Sequence, residues 1–338
     1  MGVTVERESL VGIDVGAKEL VVALQQDQTS LLTFTNDAQG HRKLTSLITK
    51  RGRYARVCLE ATGIYSLDIA FALHRHKRIS VMVANPRATS NFAKAMMKRA
   101  KTDAVDARTL LAFVSRMPFV PWQPPTEAVL ALRSTTRRMV GITRLITTEK
   151  NRLHAAKHNA SLPAFLLEDV KSSLEHLENR LCVLEAQALD FIAEDEALSE
   201  RFELLKSIPG IADRSGLHLL AELLFLPSDM DVRKWVAHAG LDPRPFQSGT
   251  SVNKPMRISK AGNAYVRRAL FMPALVAIQH DQAVRAFYSR LLQRGKPKMK
   301  ANVAVMRKLL HAIYGIFKTN TTFDPKKCSP YPKAAEST

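Results

Sequence analysis

LVGIDVGAKELVVAL, residues 10–24, is the stretch that decides the fold of the first part of the chain. It predicts two apolar, valine-rich strands around a Gly-Ala-Lys turn, and LLTFTND at 31–37 predicts a third strand. Asp14 lies inside the first strand between Gly12 and Gly16. Burying a carboxylate in an apolar strand costs free energy unless another group neutralises its charge, so this position requires an explanation beyond packing.

Helices and strands alternate after these three strands. GHRKLTSLITK at 40–50 and YSLDIAFALHRHK at 65–77 predict amphipathic helices, whereas ARVCLEAT at 55–62 and RISVMVANP at 78–86 predict strands, the latter ended by Pro86. Residues 86–116 are expected to add one or two helices. Three consecutive strands followed by β-α-β units predict an α/β domain of the ribonuclease H-like type, with a mixed sheet covered by helices.

Charge and composition favour a nucleic-acid partner. The 338 residues include 50 Lys and Arg against 31 Asp and Glu, a formal net charge of +19, and residues 241–338 alone supply +14. Such an excess usually has a polyanionic partner. Without a signal peptide or an apolar run of roughly 20 residues, we expect a cytoplasmic, nucleoid-associated protein with no membrane contact. Cys58, Cys182 and Cys328 lack the spacing of a zinc site or a disulfide framework.

Four prolines between Pro118 and Pro125 mark a domain boundary, because neither a helix interior nor a central strand tolerates them. We predict a ribonuclease H-like domain over 1–117, a proline linker with a helical coiled-coil spacer over 118–206, a basic helical domain over 207–330 and a disordered tail over 331–338. The spacer has apolar residues at the 3-4 spacing of a coiled-coil seam: Leu167, Val170, Leu174, Leu177, Leu181, Leu184, Ala188 and Phe191. The spacing fits a hairpin within one chain and a dimerising coil equally well.

The C-terminal region begins with SIPGIADRSGLHLLAEL at 207–223, which predicts two helices around a Pro-Gly turn. In helix-hairpin-helix modules such a turn points backbone N–H groups at a phosphate, although Ala212 stands where those modules place a second glycine. A plain connector between helices is the alternative. Residues 240–263 read as turn-rich, and helices are predicted over 263–280 and 300–318.

Three further carboxylates share the character of Asp14. Glu60 ends its strand between apolar and small residues, and Asp103 and Asp106 are three apart, which places both on one face of a helix. Like charges at that spacing repel unless a cation lies between them. Ligands that are all oxygen favour Mg²⁺, with Mn²⁺ as the alternative, and four carboxylates suffice for two ions that hold a phosphate. A strand Asp, a strand-end Glu and a helical Asp-x-x-Asp in this order indicate a nuclease of the ribonuclease H-like type.

Seven blocks of sequence carry a closer resemblance: the GID strand, EATG, KTDAVDAR, IPGI, AGLDPRPFQSGTSV, ISKAGN and RRALFMPALVA. The chain resembles the insertion-sequence transposases of the one-ten family, serine recombinases some of whose members are guided by a bridging RNA. The resemblance implies that Asp14, Glu60, Asp103 and Asp106 take the family's Asp-Glu-Asp-Asp places, as in RuvC-like Holliday-junction resolvases, and bind Mg²⁺. It also implies that Ser248 is the nucleophile that forms a covalent phosphoserine link to DNA.

Local sequence alone does not select Ser248, because serine in a Gln-Ser-Gly-Thr-Ser loop usually serves the turn. Its basic neighbours Arg244, Lys254, Arg257 and Lys260 favour a phosphate there. Ser251 and Thr250 are rival nucleophiles. No histidine lies nearby in sequence, so we expect metal assistance from the carboxylates. Further basic residues predicted to contact nucleic acid are Arg267, Arg268, Lys296, Lys298 and Lys300.

The predicted function is phosphodiester transesterification on donor and target DNA by a homo-oligomer, a dimer or a tetramer, with a non-coding bridge RNA as guide. Strand exchange needs at least two cleavages, so we expect an active site completed between subunits. Two alternatives remain: a metal-dependent, structure-specific DNA endonuclease that uses water, and a non-catalytic RNA-binding protein. No phosphate-binding GxxxxGK[ST] loop is present, so no nucleotide cofactor is expected.

Overall fold

The computed structural model describes residues 8–25, 27–61, 63, 65–97, 102–159, 161–227, 229–248 and 252–324, with the backbone alone described at 27–29, 246–248 and 252–255. The chain divides into two units, Met1–Pro124 and Pro125–Thr338. The division lies inside the proline segment, where missing N–H groups interrupt regular structure. Throughout the ranges described, no helix has the length and apolar character that crossing a membrane requires.

The first unit is built on a five-stranded mixed sheet of order β3-β2-β1-β4-β5. Its strands are β1 (Ser9–Val15), β2 (Glu19–Leu24), β3 (Asp27–Thr35), β4 (Ala55–Glu60) and β5 (Ile79–Ala84). β1 runs antiparallel to β2 and parallel to β4, and β4 is parallel to β5. The five predicted strands and the mixed sheet are confirmed.

Helices cover both faces of this sheet: α1 (Ala38–Ile48), α2 (Tyr65–His74), α3 (Pro86–Ala95) and α4 (Asp103–Arg116). Val11, Ile13 and Val15 of β1 belong to the core that includes α1 and α2. On the opposite face, Cys58 and Met82 form a smaller core with α4. Alternate residues of a strand point to opposite faces, so Gly12 and Asp14 lie on the α4 side.

The second unit begins with two long helices, α5 (Glu127–Lys157) and α6 (Ala164–Ala193), which pack along each other. The predicted seam of α6 is fully buried at Leu181 and Ala188 and half-buried at its other positions. Within one chain the seam therefore packs on α5 as a hairpin. Both helices share a single hydrophobic core with the C-terminal helices, so the segment that we predict as a spacer is continuous with the basic region.

The remaining elements are α7 (Glu196–Lys206), α8 (Asp213–Leu223), α9 (Val232–His238), β6 (Pro243–Ser248), β7 (Val252–Ile258), α10 (Ala264–His280), α11 (Gln282–Gln293) and α12 (Lys298–Thr319). The predicted helices over 263–280 and 300–318 are confirmed as α10 and α12. The turn-rich interpretation of 240–263 is wrong, because β6 and β7 form an antiparallel hairpin. Prolines concealed it: Pro245 has no N–H for the ladder, and the register shifts between Arg244 and Phe246 around it.

Candidate active site

Asp14 and Glu60 lie side by side at the carboxyl ends of two parallel strands. The register pairs Ile13 of β1 with Leu59 of β4, so the next residue of each strand is a carboxylate. Both side chains are half-buried. Glu60 Oε2 accepts a hydrogen bond of 2.6 Å from Thr89 Oγ1, and Thr89 is buried in α3. The sheet register and a helical hydroxyl thus position these two acids.

A close approach of α4 to β1 brings in the other two acids. An ideal Cβ at Gly12 would lie 2.3 Å from both Ala107 O and Leu111 N, so only glycine allows the helix to rest on the strand here. Asp103 precedes Ala107 by one helical turn, and Asp14 follows Gly12 on the same face of β1. The first turn of α4 therefore lies towards Asp14. Thr102 caps this helix by accepting from Val105 N at 3.3 Å.

The pKa of Asp14 reports on how close the acids are. Burial, and after it the charges of the other three carboxylates, raise the pKa of Asp14 from 3.8 to about 6. Asp103 is exposed and Asp106 is half-buried, so the group opens to solvent on its helical side. Asp14, Glu60, Asp103 and Asp106 form what we call the carboxylate cluster, and the last three each destabilise the ionised form of Asp14.

The donor set of the carboxylate cluster fits a hard divalent cation. All four groups are carboxylates, and a cation beside Asp14 would offset both burial and charge repulsion, the two causes of its raised pKa. Within the described ranges, no three His, Cys, Asp or Glu side chains converge closely enough to hold one ion together. Four carboxylates can lie near one another without converging on a single point, because carboxylates without a counter-ion repel one another.

Ser248 is the last residue of β6 and pairs with Val252 of β7. Its backbone is described, but its side chain is not, and the rivals Thr250 and Ser251 lie outside the described residues. The hairpin therefore places the serine next to its turn. It does not by itself distinguish the three hydroxyls.

Two basic residues of the hairpin oppose each other. Arg244 and Arg257 are direct cross-strand partners, and both are exposed. Like charges directly opposite in an antiparallel pair are destabilising, so the fold alone gives no reason for them. A bound phosphate would supply one. Lys260 is exposed with a positive φ of 51°, and the side chain of Lys254 lies outside the described part of the chain.

The remaining predicted nucleic-acid contacts fall into two groups. Arg267 serves the fold, because its Nη1 donates to Ala239 O at 2.8 Å and to Gly262 O at 3.2 Å. The others are exposed: Arg268, Lys296, Lys298 and Lys300. Lys298 and Lys300 begin α12, where positive charge opposes the helix dipole, so these two lysines are unfavourable for the helix without an anion.

The Pro-Gly turn between α7 and α8 has a packing role. Gly210 has a φ of 94°, and an ideal Cβ there would lie 2.6 Å from Pro273 O of α10. The turn therefore lies against a neighbouring helix of the same unit. At the start of α8, Asp213 pairs with Lys206 at 3.1 Å, which adds a negative charge where a phosphate would bind. These contacts favour the connector between helices.

Sequence reasoning missed Thr89, which bonds to Glu60, and Glu222, which carries a buried charge in the second unit. Threonine in NPRATS reads only as the start of a helix. Glu222, in the apolar run LHLLAELLF, carries a weak signal of the same kind as Asp14, a charge where the pattern is apolar.

The class is defined by a mixed sheet with Asp and Glu at the carboxyl ends of two neighbouring strands and an Asp-x-x-Asp helix packed on it. It is a nuclease-like domain of the transposase type. Residues 11–157 match the family of DEDD transposases of IS110, described as Transposase, and residues 202–289 match the one described as Transposase IS116/IS110/IS902 family. The chain thus matches the two transposase domains of the IS110 family.

Individual relatives agree with these matches. A pilin gene-inverting protein of Moraxella bovis is 29% identical over 325 residues, which are 94% of this chain and 98% of that protein. Its counterpart in Moraxella lacunata has the same identity and coverage. An uncharacterised protein of insertion element IS110 from Streptomyces coelicolor is 27% identical over 161 residues, 48% of this chain and 38% of that protein.

Proposed function

We propose that the protein is a transposase or DNA invertase that cleaves and rejoins strands through a covalent phosphoserine at Ser248, with Mg²⁺ held by the carboxylate cluster. The observation that carries the proposal is the grouping of three acids around the half-buried Asp14, which, after burial, raises the pKa of Asp14 to about 6, as expected of a site that binds a cation. The pilin gene-inverting relatives support a reaction on DNA in which strands are exchanged.

The proposed reaction conserves phosphodiester bonds. The Ser248 hydroxyl attacks a DNA phosphorus and loses its proton, the bond to the 3′ oxygen breaks, and that oxygen gains a proton. A 3′ hydroxyl then attacks the phosphoserine and frees the serine, so no nucleotide hydrolysis is required. Arg244 and Arg257 neutralise the phosphate charge during the attack. Mg²⁺, when bound, supplies Lewis-acid charge stabilisation. Thr89 keeps the Glu60 carboxylate in one orientation.

The test is a covalent adduct between the protein and a nicked DNA duplex. We expect an adduct that requires Mg²⁺ or Mn²⁺, disappears in Ser248→Ala and persists in Ser251→Ala. Strand breakage that continues in Ser248→Ala would show instead a nuclease that uses water. Loss of the adduct in Ser251→Ala alone would transfer the nucleophile to that serine. No metal-dependent breakage in any protein would leave a non-catalytic nucleic-acid binder.

We further propose that a non-coding RNA guides the reaction and that two or more copies share it. Exposed cations at Arg268, Lys296, Lys298 and Lys300 support a second nucleic acid. Sequencing nucleic acid that copurifies with the protein tests the guide, and recovery of random cellular RNA only would contradict it. Mixing Asp14→Asn with Ser248→Ala protein tests the sharing, and an inactive mixture would contradict it.

A further inference from the structure

Glu222 of α8 is a buried carboxylate with only 1% of its surface exposed. Arg137 binds it in a bidentate manner, Nε to Oε1 at 2.6 Å and Nη2 to Oε2 at 3.0 Å. Arg133 Nη2 lies 3.1 Å from Oε2, and Asn263 Nδ2 donates to the same oxygen at 2.6 Å. Every partner belongs to the second unit. Glu222 thus connects α5, α8 and the start of α10.

Each of the two arginines also lies over an aromatic ring. The Arg133 guanidinium lies 3.6 Å from the ring centroid of Phe225, and that of Arg137 lies 4.6 Å from the ring centroid of Tyr265. Burial favours the neutral form of Glu222, but the hydrogen bond from Arg137 and the charge of Arg133 keep its pKa below the usual value. The network is therefore charged and has little freedom to rearrange.

The network ends on the base of the serine hairpin. We define the hairpin base as residues 238–242 and 259–263, which enter β6 and leave β7. Asn263 Oδ1 caps α10 by accepting from Tyr265 N at 2.9 Å, while its backbone N donates to His238 O at 2.6 Å. Lys260 N donates to Gly240 O at 3.1 Å, and the Ser259 hydroxyl donates to the Asp242 carboxylate.

Stability alone is a poor reason for this arrangement. Buried ion pairs are often matched or exceeded in stability by apolar side chains of the same volume, because desolvation offsets the attraction. Their advantage is direction, since a bidentate arginine and an amide accept only one geometry. Asn263 links this fixed geometry to the hairpin base, because its side chain bonds to Glu222 and its backbone N bonds to His238 O.

We propose that Glu222, acting through Asn263, is a positioning residue that fixes the direction in which the hairpin carrying Ser248 leaves the fold. The proposal rests on Ser248 being the nucleophile. A misplacement of about 1 Å in a reacting group lowers rates by about 100-fold, so a loosened base slows attack while leaving DNA contacts in place.

The test uses Asn263→Ser in the full chain. Serine still caps α10, as a good N-cap residue, but it lacks the amide that donates to Glu222. Asp281→Ser is the matched control, because Asp281 likewise caps a helix, α11, by accepting from Ala283 N and Val284 N, but among the described residues it does not bond to Glu222. Glu222→Gln is the second variant, a neutral isostere of the same residue.

We expect Asn263→Ser to form the covalent adduct about 10- to 100-fold more slowly at saturating nicked DNA, with a DNA Kd within about 3-fold of wild type. Backbone amides of 243–248 and 252–263 should exchange with solvent faster, whereas those of the first unit should not change. Asp281→Ser should match wild type in adduct rate and exchange. Glu222→Gln should reproduce Asn263→Ser.

Two results overturn the proposal: an unchanged adduct rate and exchange in Asn263→Ser, or faster exchange spread over the whole second unit, which would indicate a role in stability only. A wild-type protein without a Ser248-dependent adduct refutes the proposed function instead. The amide exchange of 243–263 still decides in that case whether Glu222 and Asn263 hold the hairpin.

Discussion

Replacing Asp14 by asparagine should stabilise the protein when no divalent metal is bound. The folded state raises the pKa of this carboxyl from 3.8 to about 6, so it binds the proton more tightly than the unfolded chain does. Stability therefore decreases as pH rises through this interval, and above pH 6 the ionised group destabilises the fold. Asparagine has the same shape without the charge.

The size of the stabilisation follows from the rise of about 2 in the pKa of Asp14. At about 1.4 kcal/mol per unit, the full electrostatic cost is about 3 kcal/mol. Asp14 is only half-buried, and solvent screens part of its repulsion, so we expect Asp14→Asn to raise the free energy of unfolding by about 1 to 2 kcal/mol at pH 8. Saturating Mg²⁺ should stabilise wild type more than the variant, because only wild type retains all four ligand carboxylates.

Denaturant unfolding in a chelating buffer measures this change. The protein has two tryptophans, and Trp122 lies in the first unit with its ring 5.2 Å from that of Phe71. In a Trp235→Phe background, fluorescence therefore follows the unit that contains Asp14. Asp37→Asn is the control, because backbone N–H donors lower the pKa of that exposed helix cap, and neutralising it should not stabilise. An Asp14→Asn protein no more stable than wild type would refute the electrostatic account of the cluster.

Three further changes test other parts of the structure. Thr89→Val removes the hydroxyl that binds the Glu60 carboxylate and should slow metal-dependent cleavage by about 10- to 100-fold, whereas Thr136→Val, equally buried but bonded to its own helix, should not. Gly12→Ala should lower the free energy of unfolding of the first unit by about 2 kcal/mol or more, because its Cβ meets backbone at 2.3 Å, while Gly141→Ala in open space should stabilise by about 0.5 to 1 kcal/mol. Burial, aided by Arg214, lowers the pKa of His218 to about 4, so stability is kept above pH 6.5 and lost as pH falls towards 4. Between pH 7 and pH 4.5, the free energy of unfolding should decrease by about 2 kcal/mol less in His218→Gln than in wild type. An equal decrease in the two proteins would contradict this.

The sequence was most informative where periodicity and chemistry agreed. The five strands of the first unit alternate or run apolar between turn residues, so their order and the mixed sheet follow directly. The sequence did not predict the β6–β7 hairpin, because Pro243, Pro245 and Pro255 are unfavourable in most strands. A two-stranded ribbon tolerates them, since each strand has one edge without a hydrogen-bonded neighbour. The separate helix α11 was concealed in a basic run.

The candidate site divides in the same way. Spacing alone predicts that Asp103 and Asp106 share a face, but only the close approach at Gly12 explains why that face lies towards Asp14. Charge counting placed Arg267 among the phosphate contacts, whereas its guanidinium is bonded to two carbonyls of the hairpin base. Long-range packing, which composition does not encode, determines which cations are free for a ligand.

Like charges lie close together at both proposed sites, negative charges in the first unit and positive charges in the second. In the first unit, three carboxylates surround a half-buried Asp14, and in the second, Arg244 opposes Arg257 across a two-stranded ribbon. Each arrangement costs stability in the isolated protein, and each would be relieved by a partner of opposite charge. A divalent cation would satisfy the first and a DNA phosphate would satisfy the second. Under the proposed function both partners take part in one reaction, so binding of metal and of DNA should be mutually favourable, and Mg²⁺ should raise DNA affinity in wild type more than in Asp14→Asn.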